Sequence, residues 1–196
     1  MNNEVRNYSV VYRIIHWAMA LCMLLILATI FLRLTWLNKD NVANIIQNYS
    51  ASTDQVLSHD QSLALARQIR KPMWQWHIYL GYTMTALFGL RLLMPFFGQM
   101  KFINPLNKKF TLKNKFQYWV YAVFYVCVAT SLFTGLMIEF GPENIKDPME
   151  EIHVLSIYYL VAFLILHFGG VLLAEFSNQK GIISRIVSGT DKKKND

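Results

Sequence analysis

Four apolar runs of membrane-spanning length constrain this chain more than any other feature of its 196 residues: Ile14–Leu32, Ile78–Phe97, Tyr118–Ile138 and Val154–Phe176. Each approaches the ~20 residues with which a helix crosses a hydrocarbon layer about 30 Å thick. Backbone N–H and C=O groups find no water there, so such a span must satisfy them internally as a helix. Composition agrees. Hydrophobic residues make up 54%, mean hydropathy is +0.27, and only 16% of residues are charged, against about 25% in soluble domains. The expected fold is an all-α membrane protein, a bundle of four transmembrane helices at about 12–34, 74–97, 115–139 and 151–176. The first run is too long for a signal-peptide core and no small-x-small cleavage site follows it, so it reads as a retained span.

A net charge of +7 raises the possibility of a nucleic-acid partner, but its distribution argues against one. Four spans put both termini and the central loop on one side, and that side collects Arg6, Arg13, Arg91, Lys101, Lys108, Lys109, Lys113, Lys115, Lys180, Arg185 and Lys192 to Lys194. The opposite side holds most of the acids, including Asp40, Asp54, Asp60, Glu139, Glu143 and Glu150. Basic residues accumulate in cytoplasmic segments, so both termini are expected in the cytoplasm of a bacterial cell, with the inner membrane as location. The basic excess then meets anionic lipid. No nucleic acid is expected.

The remaining parts are connectors. Residues 35–73 form a long extracytoplasmic insertion whose Asn-rich first half reads as loop with at most one helical turn. Asp54 to Arg70 reads as a short amphipathic helix on the membrane surface or capping the bundle. Pro72 suits the first turn of the helix that follows. His59 reads as a solvated histidine, with a ligand or proton-relay role as the alternative. Glu139 to Glu151 is an acidic connector, residues 180–189 a surface turn of helix, and 191–196 a disordered tail, leaving residues 1–190 as one membrane domain. Cys22 and Cys127 lie in different apolar runs and read as small packing residues.

Chemistry enters with the histidines. An ionisable side chain within a span is unfavourable unless something engages it. His153 and His167 are fourteen residues apart, which on one regular helix returns them to within about 40° of the same face and separates them by roughly 21 Å. His16 opens the first span beside Arg13 and Trp17, where it is either a ligand or a hydrated interfacial side chain. His77 opens the second span from the other side. Depth pairs His16 with His167 and His77 with His153, and side chains on facing helices meet in the core of a bundle. Each pair suits one haem iron clamped between two neutral imidazoles. Two haem b groups stacked across the membrane make an electron-transfer wire. Arg13 and Arg91 (inner haem) and Arg70 and Lys71 (outer haem) are candidate partners for the propionates. Gly81 and Gly89 allow either close helix packing or room for a flat ring, and Gly135 reads as a point of close approach. Zinc fits poorly, because no His/Asp/Glu cluster has metal-site spacing.

These residues also resemble a known family. Arg13-x-x-His16-Trp17, the single histidine opening the second span with Arg91 fourteen residues on, and the His153/His167 pair followed by Ala174-Glu175 and Lys180-Gly181-Ile-Ile-Ser184-Arg185 are similar to bacterial cytochrome b561 and to the b-type subunits of nickel–iron hydrogenase and thiosulfate reductase. The resemblance covers the chain outside residues 34–70. It implies a di-haem cytochrome with the same ligand pairing, exchanging electrons between the quinone pool and a periplasmic redox protein or larger respiratory complex. A second implied activity is that of a superoxide:ubiquinone oxidoreductase. The non-redox alternative is a membrane scaffold with structural histidines.

Overall fold

The structure is a computed structural model and describes residues 9–53, 56–98, 112–176 and 181–189. Lys101, Lys108, Lys109, Arg6, Asp54, Lys180 and the tail 191–196 lie outside the described residues. The described chain is all helix: α1 (Val10–Leu34), α2 (Lys39–Ala51), α3 (His59–Leu93) continued by a 3₁₀ turn (Met94–Phe97), α4 (Leu112–Phe140), α5 (Glu143–Val154), α6 (Ser156–Phe176) and α7 (Ile182–Val187). Among the described residues four stretches are long and apolar enough to cross a membrane: Val10–Leu34, His59–Phe97, Asn114–Phe140 and Glu143–Phe176. Large apolar side chains such as Leu21, Phe31, Phe133, Ile165 and Leu173 lie exposed along them, as a lipid-facing surface requires. The chain divides into two compact units, one of residues 1–17 with 88–196 and one of residues 18–87, so α1 and α3 each contribute to both.

In the unit of residues 18–87, the expected Asn-rich loop is the helix α2. Asn38 caps it, its side chain accepting from the Asp40 N–H at 3.0 Å, which satisfies one of the donors a helix start leaves open. Val42, Ala43 and Ile46 then pack on Leu63 and Ala66 of α3. The amphipathic segment is likewise not a separate helix but the first part of α3. It opens with a capping box in which the Ser58 N–H donates to Gln61 Oε1 at 2.9 Å and the Gln61 N–H to Ser58 Oγ at 3.2 Å. Pro72, expected at a first turn, lies inside α3. It removes one ladder bond, at a cost of about 3 kcal/mol, and the packing of α2 on the preceding turns helps hold the helix through it. Ala43 and Ala66 are both 0% exposed. Ala66→Leu is therefore expected to overpack this contact by about 1–3 kcal/mol. Faster amide exchange throughout residues 39–51 would register it.

In the other unit, α4 packs against α5 and α6, α5 against α6, and α6 against α7. Phe124 and Phe163 stack between α4 and α6 with Tyr121 at the edge. Gly98 ends the 3₁₀ turn and Gly181 caps α7, both at positive φ (68° and 85°), where a Cβ would be strained. The acidic connector is largely the helix α5, with Pro148 inside it. α5 and α6 are separated at Leu155, where the ladder tightens to bonds between residues three apart: Leu155 N–H to Ile152 O at 3.2 Å and Tyr158 N–H to Leu155 O at 3.1 Å. His153 thus lies in the last turn of α5 and His167 in α6, on either side of a tightened turn at Leu155 whose backbone stays in the right-handed helical region (φ −65°, ψ −13°).

Candidate haem-binding site

His16, from the first turns of α1, faces His167 of α6, their ring centroids 6.1 Å apart and their planes inclined at 45°. Imidazole binds transition metals at about 2 Å, so two imidazoles on opposite sides of one metal ion have centroids roughly 6 Å apart. Phe163 stacks near the His167 ring at 5.4 Å and Tyr121 meets it edge-on at 6.4 Å. His167 Nδ1 is buried and has no hydrogen-bond partner. An orphaned buried polar atom is unfavourable by about 1–3 kcal/mol, which is tolerable where a bound group completes the site.

Arg91 lies beside this pair in the same unit. Its Nε donates to Tyr125 Oη at 2.8 Å and its Nη2 to Tyr12 Oη at 3.1 Å, with the guanidinium carbon 4.6 Å from the Tyr12 ring centroid. Nη1 is buried and unpartnered. Arg13 is turned toward α7: its Nη1 donates to Val187 O at 3.0 Å, and Trp17 Nε1 donates to Ile186 O at 3.1 Å. Cationic and N–H donors there satisfy the carbonyls a helix end leaves open. Glu175 closes the other end of α7, accepting from the Gly181 and Ile183 N–H groups at 2.9 and 3.2 Å. Arg13 Nε remains buried without a partner.

His77 and His153 are each oriented within their own unit. Thr29 Oγ1 donates to Ile26 O at 2.6 Å, so toward His77 Nδ1, at 2.8 Å, it accepts. The proton of His77 is then on Nδ1 and the lone pair on Nε2. Trp74 lies parallel to the same imidazole, 4.5 Å away with 3° between planes. His153 Nδ1 is 3.0 Å from the Ser131 carbonyl, an obligatory acceptor, and 3.1 Å from Thr134 Oγ1, which itself donates to Thr130 O. The same tautomer results. Metal-ligating histidines are held in this way, with the second nitrogen bound to a carbonyl or hydroxyl. Thr29, Ser131 and Thr134 were not read as site residues; a hydroxyl inside an apolar run is the only trace they leave. Thr29→Val keeps the shape and removes the acceptor. Where His77 serves as an axial ligand, the substitution is expected to weaken haem retention there roughly 10–100-fold, measurable as faster haem loss to a haem-accepting globin.

The glycines of the spans differ in their surroundings. An added Cβ at Gly81, Gly89, Gly169 or Gly170 would meet no described atom within 4 Å. Gly135 is different: its Cβ would come within 3.1 Å of His153 Cε1, the close approach expected there. Among the described residues no three His, Cys, Asp or Glu side chains gather to hold a metal ion. A porphyrin supplies four of its own ligands and asks the protein for only two, which the histidines fit. Lys71 is exposed on α3. His59 opens the same helix and is exposed.

A family model described as prokaryotic cytochrome b561 matches residues 7–189. No curated protein and no solved structure matches the chain.

Proposed function

Because the chain belongs to the prokaryotic cytochrome b561 family, we propose that this multi-pass membrane b-type cytochrome carries two haems and exchanges electrons with the quinone pool. Membership establishes b-type haem and electron transfer. The proposal adds the ligands: His16 with His167 for one haem, His77 with His153 for the other. With an imidazole on each face the haem supplies one-electron transfer without bond-making at iron. The observation that carries this reading is the facing of His16 and His167 at 6.1 Å with a buried His167 nitrogen left unpartnered.

The other side chains have supporting tasks. Arg91 and Arg13, each with a buried N–H group to spare, balance the propionates of the inner haem, and Arg70 and Lys71 those of the outer one. Thr29, Ser131 and Thr134 hold the histidine tautomers. One membrane domain over residues 1–190 sits in the bacterial inner membrane with cytoplasmic termini, following the charge asymmetry. A periplasmic redox protein docks on residues 35–73 and 139–151, and quinone approaches near Arg13.

A dithionite-reduced minus oxidised spectrum of purified protein, with haem quantified per polypeptide, tests the reading. Two low-spin b-type haems, reducible by quinol, are the expected result. Haem near zero would leave the scaffold alternative standing.

A further inference from the structure

Four cations, one from α1 and three from successive turns of α3, meet around one open cavity in the unit of residues 18–87. Arg33, at the end of α1, and Arg67, Arg70 and Lys71, on neighbouring turns of α3, line a space of about 320 Å³ together with Gln68 and Trp74. That volume is at the small end of the ~300–1,000 Å³ typical of small-molecule sites. No acid lines it among the described residues. None of the four cations forms an ion pair with a described residue, and Arg70 Nε is buried without any hydrogen-bond partner. Arg33 and Arg70 act on each other as like charges, with Asp40 the acid that acts on Arg70. Like charges converging on one space repel unless an anion joins them.

We infer that this cavity binds a small oxyanion, a carboxylate- or phosphate-bearing group, through the guanidinium groups of Arg33 and Arg67. Guanidinium forks match the paired oxygens of both chemistries, and the Gln68 carboxamide adds a neutral donor. Haem propionates do not exhaust the site. The two carboxylates of one haem, held by Arg70 and Lys71, leave Arg33 and Arg67 unbalanced.

The cavity also communicates with a histidine. The Arg33 guanidinium carbon lies 4.0 Å from the Trp74 ring centroid, and the same indole stacks on His77. An anion that engages Arg33 is one aromatic ring away from that imidazole. Resting on the two-haem reading, a bound anion favours the ferric state of the haem at His77 and lowers its midpoint potential.

Titration calorimetry of inorganic phosphate into the full-length detergent-solubilised protein, at low chloride, tests the site without reference to haem. Saturable binding, weakened at least tenfold in both Arg33→Gln and Arg67→Gln, is the expected result. Absence of free-phosphate binding, together with phosphatidylglycerol retained in native mass spectra of the wild type and lost from both variants, assigns the same site to a lipid headgroup. Binding of neither, or binding of either that both variants keep, overturns the proposal. So does loss of one haem in both variants, which would hand these arginines to the propionates. Failure of the two-haem reading would appear separately, in the haem count of the wild type.

Discussion

Protein carrying His167→Ala is expected to hold one haem per chain in place of the two proposed for the wild type, with helix content by circular dichroism unchanged. The imidazole of His167 is the partner that His16 faces across 6.1 Å, and its removal leaves one axial ligand where two are needed to hold a low-spin iron. His16→Ala is expected to remove the same haem. The double variant should then lose no more than either single one, because two residues that share one iron act as a unit and their effects do not add. Independent histidines would behave otherwise: each substitution would alter the spectrum by itself, and the double variant would show the sum. A wild-type haem count in His167→Ala would sink the pairing outright. The fold has little reason to suffer, since His167 makes no hydrogen bond through its buried Nδ1 and the Phe124–Phe163 stack holds α4 on α6 without it.

The spans and histidines were legible because both signals are local. An apolar run of sufficient length has few structures open to it in a membrane, and an imidazole within such a run needs no neighbour to attract notice. α2 was not legible in the same way. Its Asn38, Asn41, Asn44 and Asn48 read as loop, and what favours helix is the burial of Ala43 against Ala66, a contact with a distant part of the chain. The start of α3 is written in Ser58-x-x-Gln61, a capping box that lies four residues beyond Asp54, where the amphipathic pattern begins. The tightened turn at Leu155 lies between Val154 and Ser156, within the run whose apolar residues dominate the signal of the fourth span. The hydroxyls that orient His77 and His153 were unreadable for another reason: which threonine faces which histidine depends on how helices pack.

Gly135→Leu is expected to remove the haem assigned to His77 and His153 while leaving that at His16 and His167 in place. Ser131, Thr134 and Gly135 share one face of α4, at the spacing of adjacent turns. The His153 ring lies over this face: Ser131 O at 3.0 Å and Thr134 Oγ1 at 3.1 Å hold Nδ1, and Gly135 admits the ring by having no side chain. Helix propensity alone favours replacing this glycine, by about 1 kcal/mol for alanine. Geometry reverses the sign. A Cβ at residue 135 would be 3.1 Å from Cε1 and 3.5 Å from Nδ1, so alanine displaces the ring by a few tenths of an ångström. Leucine adds three carbons more and drives it off the Ser131 carbonyl. The Nδ1 proton then loses its acceptor and Nε2 its aim. Gly135→Ala is expected to keep most of the haem with a shifted reduced band, and Gly135→Leu to fall to one haem per chain. If Gly135→Leu keeps two haems with an unchanged spectrum, His153 is not an axial ligand and the face of α4 beneath it is packing alone.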